Sequence, residues 1–167
     1  LYNQWFAESV GRKLSSILLR GPLIIVIALI LPAGVGLMLP VNFMSFVLFF
    51  VSLILGTMLM SAISMIAVAL VFKTASPKGV VSLMQTLCGL LGGMFIPLPL
   101  MPPSLQNVIN YLPFRFITDL PLRIYIGNIG ILSGLMYIGI ALAWLIVIVV
   151  LGQLLMKKVS KNAIIQG

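Results

Sequence analysis

Histidine is absent from this chain, cysteine occurs once, and only two side chains carry a carboxylate, Glu8 and Asp119. That inventory contains no carboxylate pair for acid–base work, no His–Cys metal cluster and no Ser–His–Asp set. No catalytic residue, metal site or cofactor is therefore expected within the chain. One cysteine rules out an internal disulfide framework. Cys88 stands among leucines in mid-span and reads as a small buried hydrophobe. Charge of either sign is scarce, at 7% of residues, where a soluble domain carries about a quarter. What fills the space is apolar: 62% of the 167 residues are hydrophobic. A soluble domain cannot hide that much apolar surface. The runs are continuous rather than alternating, which excludes a β-barrel. The fold class is all-α, a polytopic helical membrane protein.

The formal net charge of +8 would suggest nucleic acid in a soluble protein. Here the lysines and arginines sit between apolar runs, where they set topology, and nucleic acid is not an expected partner. The sequence opens at Leu1 without a methionine or the shape of a signal peptide, and is expected to be the C-terminal portion of a longer protein.

Residues 1–20 read as a cytoplasmic or interfacial amphipathic lead-in. Asn3 caps its helix, Phe6, Val10, Leu14 and Ile17 repeat at helical spacing, and Glu8 pairs with Arg12. Residues 21–167 form the transmembrane domain. A first span over about 21–39 starts at Pro22 and is kinked or ended early by Pro32, Gly34 and Gly36. A second covers about 43–72, with two stripes of small residues: Ser45, Ser52 and Gly56, then Thr57, Ser61 and Ser64. Both stripes read as helix packing. A third covers about 79–96. At 100° per residue, Ser82, Gln85, Thr86, Gly89 and Gly93 fall within an arc of about 100°, the most polar face of any span. That face lines a conduit or forms a seam between subunits. A fourth runs over about 129–156, with a Gly130–Gly134 pair and a deep Trp144.

Between the last two spans, residues 97–128 form an outer hairpin. Pro97 and Pro99 remove backbone donors and end the third span near Ile96. Ser104 caps a short helix carrying Leu105, Val108, Ile109 and Leu112 on one face. A second piece follows Pro113 and closes at Gly127 and Asn128. Arg115, Asp119 and Arg123 stand at i, i+4 and i+8 of it. Whether all three stay together depends on Pro121, which either kinks the helix or restarts it. With Pro97 and Pro99 they are candidates for an outer gate; the plainer reading is contact between the arginines and lipid headgroups. Eight basic residues lie on one side (Arg12, Lys13, Arg20, Lys73, Lys78, Lys157, Lys158, Lys161) and two on the other. That asymmetry puts both termini in the cytoplasm.

The run Gly-Gly-Met-Phe-Ile-Pro-Leu-Pro-Leu-Met-Pro at residues 92–102, Ser-Leu-Gln-Asn-Val-Ile-Asn-Tyr-Leu-Pro-Phe-Arg-Phe at 104–116, and the basic-ended last span resemble the membrane subunit of type-2 ATP-binding cassette exporters. The resemblance is closest to the bacterial branch in which the permease is a separate chain from its ATPase. It implies that these are the last four of six spans. It implies a second permease subunit, as homodimer or heterodimer, in the bacterial cytoplasmic membrane. ATP and magnesium would be bound on the partner ATPase, since no phosphate-binding loop occurs here. The turn with Lys73, Ser76, Pro77 and Lys78 would be a contact with that ATPase. The expected function is export of a hydrophobic or amphipathic substrate. The alternatives are an ion-coupled secondary transporter, against which these spans carry no acid, and a non-transporting membrane scaffold. An ATPase travelling with the chain separates the first reading from the others.

Overall fold

The chain is described by a computed structural model over residues 2–31, 40–71 and 77–165. Among these residues there are six α-helices: α1 Tyr2–Ile30, α2 Phe43–Val71, α3 Pro77–Leu91, α4 Pro103–Ile109, α5 Arg115–Tyr125 and α6 Ile131–Ile165. A short 3₁₀ turn, Leu98–Leu100, lies between α3 and α4. Two helices are long and apolar enough to cross a membrane, Phe43–Val71 and Ile131–Val159, with mean hydropathies of 2.4 and 2.7.

α2 is the centre, in contact with α1, α3, α5 and α6. It has no charge and no proline in 29 residues, and Asn42 caps it by accepting the Ser45 N–H at 2.7 Å. Its Leu48, Leu55, Leu59 and Ala62 pack with Phe116, Leu120 and Ile124 of α5 and with Ile138, Ala141 and Leu145 of α6. Cys88 is buried in the same core as a free thiol. Gly56 allows backbone to meet backbone. A Cβ there would lie 2.7 Å from the Ile117 carbonyl oxygen and 3.0 Å from that of Phe116. Ile117 is the residue whose carbonyl Pro121, lacking an N–H, leaves without its usual helical donor. From that joint α5 runs antiparallel to α2: the Tyr125 ring meets Phe49 edge-on at 5.2 Å, and Gly127 (φ 76°) lies against Val41.

Several local expectations change. α1 is already helical at Tyr2, so Asn3 is no cap; its side chain accepts a hydrogen bond from Gln153 of α6 at 2.9 Å. Pro22 does not start a helix but sits inside α1. From Leu18 onward α1 leaves the bundle: Leu18, Leu19 and Ile30 are each over 70% exposed. Pro32, Gly34 and Gly36 lie outside the described residues. α3 stops at Leu91, five residues before the expected break. The Gly93 N–H donates to Leu90 O and the Met94 N–H to Gly89 O, with Gly93 at φ 81°, a Schellman ending that glycine permits without a Cβ clash. The prolines come after this ending and do not cause it. Ser104 falls within the first turn of α4, because Pro102 precedes that helix and Pro103 opens it, a position where proline is pre-set for the helix. α6 continues past residue 156 to Ile165. Gly130 precedes it with nothing nearby, whereas Gly134 faces Ile124 and Leu48.

Candidate functional site

Two clusters of polar side chains interrupt the apolar bundle. The inner one lies between α1, α2 and α3. Ser82, Gln85, Thr86 and Gly89 of α3 border a cavity of about 480 Å³ closed by Met60, Phe95 and Ile117. The hydroxyls and the amide face open space and are exposed, while Gly89 lies beneath the Phe95 ring. Gly93 is not on this wall. Having left the helix, it sits near Leu98 and Asp119.

Gln85, Met60 and Ile117 also border a second cavity of about 580 Å³, whose far wall is Ser9, Arg12, Lys13 and Ser16 of α1. Lys13 bends onto α2. Its ammonium donates to Ser61 Oγ at 3.1 Å, Ser64 Oγ at 3.4 Å and, at the limit, Ser9 Oγ at 3.5 Å. The α2 hydroxyls spend their own hydrogens on backbone carbonyls, Ser61 on Thr57 and Ser64 on Met60. They therefore present lone pairs to the ammonium. Burial pulls the Lys13 pKa below the ordinary lysine value; nearby Cys88 works against that shift and Arg12 adds to it. Arg12 itself pairs with Glu8 at 3.1 Å in an exposed position. The stripe of Thr57, Ser61 and Ser64 is thus more than a packing surface, since two of its members hold a cation. Sequence alone did not pair these residues. The available signal was hydroxyls at i and i+3 of one apolar helix with a lysine on the helix before it.

The outer cluster lies on the hairpin. α5 runs through Pro121 without restarting, so the triad stays together. Arg115 Nε donates to Asp119 Oδ2 at 3.2 Å and Arg123 Nε to Asp119 Oδ1 at 2.8 Å. Arg115 is 6% exposed. Its Nη1 donates to Asn110 Oδ1 at 2.9 Å, and its guanidinium stacks over the Tyr137 ring of α6, 4.9 Å from the centroid. Trp144 Nε1 donates to the Tyr111 carbonyl at 3.0 Å, pinning the hairpin turn to α6. Pro97 precedes the 3₁₀ turn and Pro99 lies within it. The Gln106 amide reaches back to Pro99 O at 3.3 Å and Met101 O at 2.7 Å, closing the proline stretch on itself. Asn110, Gln106 and Tyr137 were not singled out in the sequence; each acts through a contact that spacing does not reveal. Of the expected ATPase contacts, Lys73 and Ser76 lie outside the described residues, and Pro77 and Lys78 form the start of α3.

A family model described as ABC-2 family transporter protein matches residues 11–167. No curated protein and no solved structure matches the chain.

Proposed function

The chain belongs to the ABC-2 family of transporter membrane proteins, and from that premise we propose that it is the permease subunit of an ATP-driven exporter. It works with a partner ATPase, which binds ATP and magnesium, and with a second permease subunit in a bacterial cytoplasmic membrane. The apolar part of α1, then α2, α3 and α6, are its four spans, with both termini in the cytoplasm and the α4–α5 hairpin entering from outside. Two independent contacts support that placement of the hairpin. Gly56, which meets α5, lies about 20 Å along α2 from its first residue. Trp144, which meets Tyr111, lies about 20 Å along α6 from its first residue. The hairpin turn is therefore deep, and one of its backbone carbonyls, that of Tyr111, is satisfied by Trp144 of α6, as non-helical chain at membrane depth requires.

The observation that carries the reading is the polar wall of α3. Ser82, Gln85 and Thr86 meet a cavity instead of another helix of this chain, and an amide facing lipid would be costly. Cargo passes along this wall toward the hairpin, whose Pro97–Pro99 stretch and Arg115–Asp119–Arg123 cluster form the outer gate. The test is reconstitution with the ATPase in vesicles. Gln85→Leu should leave assembly intact and lower ATP-dependent export. Normal export by Gln85→Leu, together with loss of the subunit pair in Gly89→Leu, would make the wall a seam only. Transport that follows an ion gradient and ignores ATP would overturn the exporter itself.

A further inference from the structure

The sequence has two side-chain carboxylates, and both are engaged. Glu8 holds Arg12, and Asp119 holds Arg115 and Arg123. Lys13 is half-buried between α1 and α2 and neither carboxylate reaches it. The serine oxygens around it orient the ammonium, but they are neutral and leave its charge uncancelled. A cation drawn partly out of water favours a counter-anion, and neither carboxylate of this chain supplies one.

The surroundings indicate what does. Lys13 and Arg12 edge the larger cavity, whose remaining wall joins hydroxyls such as Ser9, Ser16 and Ser64 to an apolar side of Ile17, Met65 and Val68. That space adjoins the smaller cavity across Met60, Gln85 and Ile117 and ends under Phe95. One end is cationic; the path leading away has Met60, Met94, Phe95 and Ile117 on its apolar side and Ser82, Gln85 and Thr86 of α3 on the other. We propose that the joined cavities bind an amphiphile with a phosphate head, the head at Lys13 and Arg12 and the apolar tail along Met60 and Ile117 toward Phe95. A tetrahedral phosphate suits this end because its several oxygens can take the ammonium and guanidinium together. The head has two sources, the exporter's cargo or a lipid of the cytoplasmic leaflet. Only the assignment as cargo rests on the export reading above.

The protein, complexed with its ATPase in nanodiscs of neutral lipid, is titrated with fluorescent short-chain phosphatidic acid and with the matching diacylglycerol, which lacks the phosphate. The wild type should favour the phosphatidic acid by about tenfold or more, the scale of a charge-assisted contact. Lys13→Gln should abolish most of that preference, Lys13→Arg should keep it, and Arg20→Gln, away from the cavity, should not alter it. Equal affinity of the wild type for both probes overturns the proposal, and needs no variant to be folded. So does an undiminished preference in a folded Lys13→Gln protein. In sealed vesicles, ATP-dependent movement of the bound probe identifies cargo. Binding without movement identifies a resident lipid and leaves the site standing. Loss of all ATP-driven transport with the preference intact counts against the export reading alone.

Discussion

Lys13, half-buried, and Arg115, buried, are both cations drawn into a chain of apolar helices, yet they are held in different ways. Arg115 meets a carboxylate, an amide oxygen and an aromatic face. Its charge is cancelled by Asp119, and the positive charge left on the triad falls on Arg123, the more exposed arginine. Lys13 donates its hydrogen bonds to serine oxygens and meets no carboxylate. The first arrangement is a strut: it ties Asn110, α5 and α6 into one piece. The second fixes a position without satisfying a charge. The partner chemistry, more than burial, decides whether a cation in such a protein is structural or remains open to a ligand.

Asp119 is where the contrast is most easily broken. Asp119→Asn leaves two arginines facing one another in a buried site, and breaking such a pair costs about 3–5 kcal/mol. The thermal midpoint of the purified protein should fall well below that of Arg123→Gln, and the double change Arg115→Asp with Asp119→Arg should recover part of the loss. Similar midpoints for Asp119→Asn and Arg123→Gln would remove the strut.

Gly56→Ala comes next. Its Cβ would press on the Ile117 carbonyl, which is backbone and cannot rotate aside, so about 1–3 kcal/mol is expected from overpacking. The same thermal melt should show it, together with weaker protection of the α5 amides in hydrogen exchange.

Lys13→Met sharpens the contrast because its sign is reversed. Replacing a half-buried charge that no carboxylate cancels by an apolar side chain of similar length removes its desolvation penalty. The melt should therefore stay level or rise while binding of phosphatidic acid falls. A clear drop in midpoint would make Lys13 a second strut.

A pH series gives a smaller effect. With its folded pKa below the unfolded one, Lys13 carries a penalty for being charged in the fold. That penalty is complete below the folded pKa and is relieved as pH rises toward the unfolded value, so stability should gain there with rising pH. Burial raises the Tyr2 pKa, which acts in the opposite sense above the ordinary tyrosine range. The Lys13 contribution is thus the part of the curve that disappears in Lys13→Met. Last is Arg12→Gln. Its pair with Glu8 is exposed and should contribute under about 1 kcal/mol.

How much of this could be read from the sequence depended on distance along the chain. Uninterrupted apolar runs gave α2 and α6, since length and composition are sufficient there. The triad was also legible, because i, i+4 and i+8 lie on one helix, though only the structure shows α5 passing through Pro121. The polar wall of α3 followed from helical angles as far as Gly89. Gly93 leaves that wall because Gly92 and Gly93, ahead of the prolines, stop the helix. Lys13 with Ser61 and Ser64, and Trp144 with Tyr111, could not be read. They join segments far apart in sequence, and periodicity says which face of a helix is polar, not what it faces.

The seating of the Ile117 carbonyl on Gly56 bears on the order in which the protein is assembled. An isolated helix of 11 residues is marginal even without a proline, and Pro121 takes one more hydrogen bond from it. α5 therefore depends on surfaces supplied by others: Leu55 and Gly56 on α2, Tyr137 and Ile138 on α6. During synthesis at about 5–20 residues per second, α2 is complete seconds before α5 exists, and α6 follows later still. For that interval the groove at Gly56 is an empty mould. The hairpin can be cast into it only after α2 has waited through the synthesis of α3 and α4, and is closed over only when α6 arrives.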